Sequence, residues 1–64
     1  MTSARLRECL DRLGWSVADF ASRAEVSPVT ARRWLSGRFA VPDAVADALE
    51  AMVAATLRLS HKPD

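Results

Sequence analysis

A chain of 64 residues can hold one domain at most, and a single cysteine and a single histidine exclude both a disulfide framework and a Cys/His metal centre. Half of the residues are apolar, but no apolar run approaches the roughly 20 residues of a membrane span, and no N-terminal signal peptide is predicted. The formal net charge of +1 does not by itself indicate a nucleic-acid binder. The free cysteine suits the reducing cytoplasm. No residues indicate a cofactor.

The first two helices are predicted from apolar residues that recur at spacings of three and four. The first runs from about Ala4 to Leu13, with Ser3 as its N-cap and Gly14 at its end. The second runs from about Val17 to Ala24, with Ser16 as its N-cap. The apolar faces of these two helices consist of Leu6, Cys9, Leu10 and Leu13, and of Val17, Phe20, Ala21 and Ala24.

The third and fourth helices are predicted from their proline and glycine boundaries. Ser27 caps a third helix from about Pro28 to Ser36, and Gly37 ends it. Pro42 opens a fourth helix that continues to Leu59. The inner stripe of the fourth helix consists of Val45, Leu49, Met52, Val53 and Leu57, and a second, flat face consists of Ala44, Ala48, Ala51 and Ala55. The prediction is therefore an all-α domain over residues 1–59, followed by a flexible tail at 60–64.

Charge is distributed unevenly along the chain. The segment from Arg23 to Arg38 contains four arginines and only Glu25 as an acid, whereas the segment from Phe39 to Leu57 contains three acids and no base. Such an asymmetry is expected when one face of a protein meets a polyanion. A solvated surface with scattered charges explains the charges about equally well, so charge alone does not decide between the two.

The second and third helices are joined by about three residues around Glu25-Val26-Ser27. This turn is too short for a relaxed antiparallel hairpin, so the helices must cross steeply, as in a helix-turn-helix. On the third helix, Ala31, Trp34 and Leu35 are predicted to face inward, and Val29, Arg32 and Arg33 to face outward. Outward arginines suit a major groove, where a guanidinium can bind guanine through two hydrogen bonds and an apolar side chain can meet a thymine methyl group.

Phosphate contacts are predicted at three places around this unit. The N-termini of the second and third helices, at Ser16 and Ser27, present N–H groups that suit phosphate oxygens. Arg38 and the backbone at Phe39 follow the third helix and are placed to contact another phosphate.

Several of these residues, at their spacing, resemble the pattern of the Xre/Cro-repressor helix-turn-helix family. The resemblance covers about Leu6 to Leu57 and rests on Phe20-Ala21, Val26-Ser27, Trp34, Gly37 and Pro42. It implies a lambda-repressor-like domain of four or five helices, in which the third is the recognition helix. The implied base-reading residues are Pro28, Val29, Thr30, Arg32 and Arg33.

Three residues depart from the family pattern. Val17 replaces a glutamine that contacts the DNA backbone, and Ala31 replaces a larger aliphatic residue. Glu25 replaces the turn glycine, so it is expected to adopt a near left-handed conformation or to reshape the turn.

The resemblance also implies a small phage or bacterial repressor, including the anti-CRISPR-associated type, that dimerises through its C-terminal region. The dimer interface is predicted at Ala48, Ala51, Met52, Ala55 and Leu59. A homodimer of this kind places two recognition helices about 34 Å apart on a pseudo-palindromic double-stranded DNA operator. The prediction is a transcriptional repressor, with its own promoter as one target.

Three other classes of function are possible. A surface-active peptide based on the alanine-rich fourth helix is disfavoured, because that helix carries acids and lacks the basic residues of membrane-surface helices. A protein-interaction module of the antitoxin or anti-repressor type could use the same scaffold, with Val29 and the arginines contacting an acidic partner. An enzyme is the least favoured class, because the serines have no histidine in an ordered segment to activate them. No residues indicate a small-molecule ligand or a membrane partner.

Overall fold

The computed structural model describes residues 1–60, and the side chains of residues 1–56. The described residues form four helices and no strand, which confirms the predicted all-α class: α1 (Ser3–Leu13), α2 (Val17–Ala24), α3 (Pro28–Ser36) and α4 (Asp43–Ser60). Both α2 and α3 have the predicted bounds, whereas α4 begins one residue after Pro42 and extends one residue past the predicted domain end. The remainder of the predicted tail, residues 61–64, lies outside the described residues. None of the helices within residues 1–60 has the length and apolar character to cross a bilayer.

Side-chain caps explain where α1 and α2 begin. The N-cap of α1 is Thr2, whose Oγ1 accepts a hydrogen bond from the Arg5 N–H at 3.0 Å. The prediction of Ser3 as N-cap was wrong, because Ser3 already lies within the helix and Thr2 is the extended residue before it. The N-cap of α2 is Ser16, as predicted, and it exchanges hydrogen bonds with Asp19 in a capping box.

The turn between α2 and α3 depends on a left-handed residue. Glu25 ends α2 with φ 58° and ψ 42°, and it is the one non-glycine residue with positive φ among the described residues. Its N–H donates to the Ser22 carbonyl, and the Val26 N–H donates to the Ala21 carbonyl at 3.0 Å. The position where the resemblance leads one to expect glycine therefore holds a glutamate in the left-handed conformation, which is the first of the two expected outcomes, and α3 begins three residues later.

The core joins residues from all four helices and from the loop before α4. It consists of Leu6, Cys9, Leu10, Phe20, Ala21, Ala31, Trp34, Val41, Leu49 and Val53. Phe20 and Trp34 pack with ring centroids 5.9 Å apart and ring planes tilted by 56°. Val41, expected in a loop, is buried. Met52 was wrongly assigned to the inner stripe and is 39% exposed, because it lies about 100° around the helix from Val53.

Ion pairs between charged side chains link α1 to α4. The Arg5 guanidinium donates to Glu50 from Nε to Oε2 at 2.7 Å and again from Nη2 to Oε1, which makes this pair bidentate. Arg5 also pairs with Glu8 at 2.6 Å, and Arg12 pairs with Glu8 at 3.3 Å. These hydrogen bonds lower the pKa of both glutamates and raise the pKa of Arg5.

The strained turn predicts a stabilising substitution. Replacing Glu25 with glycine should raise the free energy of unfolding by about 0.5–1 kcal/mol. The substitution removes a left-handed strain of roughly 1–2 kcal/mol, and the greater conformational entropy of glycine in the unfolded chain cancels only part of that gain. Urea unfolding followed by circular dichroism measures the change. As a matched control, glycine at the exposed helical Ser22 should lower stability by about 0.5–1 kcal/mol. A Glu25→Gly variant no more stable than the wild type contradicts the assigned strain.

The ion pairs predict a loss of stability in acid. Because the pKa of Glu50 and of Glu8 is lower in the folded protein, their contribution is present above the unfolded value of about 4.3 and is lost as the pH falls through the folded values. The melting temperature of Glu50→Gln should therefore fall less than that of the wild type between about pH 5 and pH 3. Asp11→Asn, which removes an exposed carboxyl without an ion pair to the described residues, is the control. If the melting temperature of Glu50→Gln falls as much as that of the wild type over this pH range, the Arg5–Glu50 pair is not the source of the acid sensitivity.

Candidate nucleic-acid interface

The outward face of α3 is open to solvent. Val29 is 52% exposed, and Arg32 and Arg33 are also exposed, whereas Ala31 and Trp34 on the opposite face are buried. Of the other predicted base-reading residues, Pro28 is exposed and Thr30 is half-buried. The predicted division of α3 into an inner and an outer face is confirmed.

Contacts with α1 and α2 hold the inner face of α3 in place. Trp34 packs on Phe20 of α2, and the Arg7 Nη2 of α1 donates to the Leu35 carbonyl at 3.0 Å. This last hydrogen bond brings a cation to the C-terminal turn of α3, where carbonyl oxygens lack intrahelical partners. The outer face of α3 is therefore presented by a helix that is fixed from behind.

The N-terminus of α3 has one N–H group available. Pro28 has no N–H, and the Thr30 N–H donates to Ser27 Oγ at 3.2 Å. The Ala31 N–H donates to the Ser27 carbonyl, so the Val29 N–H is left without an acceptor inside the helix. No acidic residue lies in the first turn of α3, and this end of the helix suits an anion.

The N-terminus of α2 differs, although the sequence pattern predicted a phosphate contact there as well. The Asp19 carboxylate accepts a hydrogen bond from the Ser16 N–H at 3.1 Å, and this contact lowers the pKa of Asp19. The protein thus supplies its own anion at this end, and a second anion beside it is repelled. The geometry favours the predicted phosphate contact at Ser27 over the one at Ser16.

Hydrogen bonds at the C-terminus of α3 fix the start of the following loop. Ser36 Oγ donates to the Arg33 carbonyl at 2.8 Å and accepts from the Arg38 N–H at 3.3 Å. Gly37 adopts φ 83°, which turns the chain out of the helix. Beyond it, Phe39 is exposed, and the Arg33 guanidinium carbon lies 5.6 Å from the centre of its ring.

A shallow depression of about 340 Å³, open to solvent, lies along the outer face and the C-terminal end of α3. It is lined by Val29, Arg32, Arg33, Ser36 and Arg38. Three cationic side chains and no acid line it, so its chemistry suits a polyanion that also offers apolar contact to Val29.

The arginines of this depression are not neutralised by acids elsewhere. The ion pairs among the described residues use Arg5 and Arg12, which lie on α1. Arg23 lies 4.6 Å above the Trp15 ring, and Arg33 contacts Phe39 in a similar way. Within residues 1–56, the side chains of Arg32, Arg33 and Arg38 form no ion pair, and their charge is directed at solvent.

The predicted dimer-interface residues lie on the outer side of α4. Ala48, Ala51, Met52 and Ala55 are exposed, and Leu59 lies outside the residues whose side chains are described. Ala48 and Met52 also line an apolar cleft of about 230 Å³ between α2 and α4, with Trp15 and Phe20 on its other wall. The helical pattern did not indicate this cleft, because its walls come from two different helices and from Trp15, which only the tertiary fold brings together.

Within the part of the chain that the structure describes, neither a metal-binding cluster nor an exposed thiol lies beside these sites. The described residues contain no group of three or more histidine, cysteine, aspartate or glutamate side chains able to hold a metal ion. Cys9 has no solvent exposure, and its burial raises the pKa of its thiol. The thiol is therefore kept protonated and inaccessible, as the prediction of a small buried apolar residue requires.

Comparison with known proteins gives no match: no family model, no curated protein and no solved structure is significantly similar to this chain.

Proposed function

We propose that α2, the turn at Glu25 and α3 form a helix-turn-helix, and that the protein is a sequence-specific regulator that binds double-stranded DNA. The observation that carries this proposal is the exposed outer face of α3, with Arg32, Arg33 and the nearby Arg38 free of acidic partners among the described residues. The resemblance of the sequence to the Xre/Cro-repressor family supports the same assignment.

The diameter of an α-helix fits the major groove. A helix with its side chains is about 10–12 Å across, and a B-DNA major groove about 12 Å wide admits one. Arg33 and Arg32 are the proposed guanine-binding side chains, and Val29 is the proposed contact for a thymine methyl group. Pro28 and Thr30 flank them; the Thr30 hydroxyl lies 3.2 Å from Ser27 Oγ, so its methyl group is the part most available to a base.

Phosphate contacts at both ends of α3 complete the proposed docking. At the N-terminus, the Val29 N–H and the positive end of the helix dipole receive one phosphate beside Ser27. At the C-terminus, Arg38 and the backbone around Phe39 receive another. The two ends together fix the register of α3 in the groove.

The proposed assembly is a homodimer that joins through the outer face of α4 and binds a pseudo-palindromic operator. Ala44, Ala48, Ala51 and Ala55 are exposed on one face of α4 and allow two helices to approach closely, and the exposed Met52 beside them adds apolar surface. A dimer bound at a promoter represses by excluding the transcription machinery, and the promoter of its own gene is the first candidate.

The base-reading assignment predicts opposite behaviour for two arginines. Arg33→Ala should weaken binding to the best operator by about 1–3 kcal/mol and relax the sequence preference at one base step. Arg38→Ala should instead weaken binding to all sequences alike and reduce the slope of log affinity against log salt by about 1. Selection from random duplexes followed by affinity measurements at several salt concentrations tests both variants.

This pair of variants also tests the function itself. If the wild-type protein selects no DNA sequence at low salt and co-purifies with a protein partner, the repressor proposal fails and the interaction module replaces it. If Arg33→Ala keeps the full sequence preference of the wild type, α3 does not read bases through this side chain.

The dimer proposal predicts that a charge on the alanine face separates the subunits. Ala51→Glu places like charges against one another across a two-fold axis, and it should weaken self-association by tenfold or more, about 1.4 kcal/mol. Sedimentation equilibrium measures the change. The same substitution at the exposed Ala4 of α1 is the matched control and should leave self-association unchanged. A wild-type protein that is monomeric at micromolar concentration, alone and on its operator, excludes the dimer.

A further inference from the structure

Phe39 is in an unusual environment for an aromatic residue. It is 53% exposed, whereas Phe20 and Trp34 are buried and Trp15 is half-buried. A large aromatic side chain gains free energy from burial, yet Phe39 is not part of the hydrophobic core, so core packing does not account for a phenylalanine at this position. Its ring instead faces the Arg33 guanidinium, whose central carbon lies 5.6 Å from the ring centre.

The backbone around Phe39 is fixed on both sides. On one side, Ser36 bonds to the Arg38 N–H, and the Gly37 N–H donates to the Trp34 carbonyl, so the chain leaves α3 in a defined direction. On the other side, Val41 is buried in the core two residues after Phe39. The backbone that carries the Phe39 ring is therefore fixed on both sides, and a neighbouring side chain can pack against the ring.

A base-reading arginine gains from such a surface. An unrestrained arginine loses much of its rotamer freedom when it forms two hydrogen bonds to one base. A guanidinium held against an aromatic ring by a cation–π contact has already lost part of that freedom, while the N–H groups that do not face the ring stay available for hydrogen bonds. No acid among the described residues competes for the Arg33 guanidinium.

We propose that Phe39 is a positioning residue for sequence recognition, which holds the Arg33 guanidinium in the orientation that binds guanine. This inference rests on the proposed DNA-binding function and deepens it. It assigns Phe39 a role in discrimination between bases at the Arg33 step, in addition to the backbone contact predicted for the loop.

Two substitutions separate the aromatic face from simple bulk. Phe39→Leu keeps an apolar side chain but removes the ring, and it should reduce discrimination at the Arg33 base step about two- to fivefold, which is the range expected for an exposed cation–π contact. Phe39→Tyr keeps the ring and should retain the discrimination of the wild type. Affinity is measured for the selected operator and for the same operator with that base pair exchanged. Both variants should fold normally, because the side chain is exposed, and thermal unfolding checks this.

A double-mutant cycle decides how Phe39 acts. In an Arg33→Ala background, Phe39→Leu should cause no further loss of discrimination. An undiminished loss in that background overturns the proposal, because Phe39 then contacts DNA by itself. A Phe39→Leu variant with wild-type discrimination also overturns it.

A measurement without DNA keeps this inference distinct from the proposed function. In the free protein, the Arg33 methylene protons should show an upfield ring-current shift by NMR, and Phe39→Leu should abolish it. If the shift is absent in the wild type, Arg33 does not contact the Phe39 ring in the free protein, and the inference fails even when the protein binds its operator. If the shift is present but the protein binds no DNA, the proposed function fails, and the recognition role of Phe39 fails with it.

Discussion

The packing of Trp34 against Phe20 is the contact on which the presentation of α3 depends. It buries the inner side of α3 against α2 and leaves no room for rotation of the helix, because Ala31 beside it is also fully buried. Once the inner side is fixed, the 3.6-residue period of the helix determines that Val29, Arg32 and Arg33 face solvent. Ala31 has no solvent exposure, so this small side chain is enclosed at a position where the family resemblance leads one to expect a larger residue.

Charge is divided between two sides of the molecule. Among the described residues, the ion pairs use the α1 cations Arg5 and Arg12, and Arg5 connects α1 to α4 through Glu50. Around α3, the neighbouring positive groups are not used in this way, and they remain available to a ligand. Exposed ion pairs contribute little to stability. Because the Glu50 carboxylate of α4 is paired with Arg5, however, it is not available to pair with the arginines of α3.

The sequence was sufficient to predict those parts of the structure that depend on local chemistry. The bounds of α2 and α3 followed from Ser16, Ser27, Pro28 and Gly37, because caps and prolines act within one helical turn. The left-handed conformation of Glu25 was one of two outcomes expected from the family resemblance, in which glycine occupies this position. Features that depend on tertiary packing were not predicted: the burial of Val41, the cleft between α2 and α4, and the contact of Arg33 with Phe39. In each case the residues involved are brought together by the crossing of helices or by a loop, which a helical period does not encode.

A net charge of +1 is compatible with DNA binding because a polyanion responds to local charge. Salt screens exposed charges over about 8–10 Å, so a phosphate beside α3 responds mainly to the charges within that distance, among which are the arginines of α3. The near-neutral total is therefore no measure of the charge that a phosphate meets at α3, and the number of phosphates contacted sets how strongly affinity depends on salt.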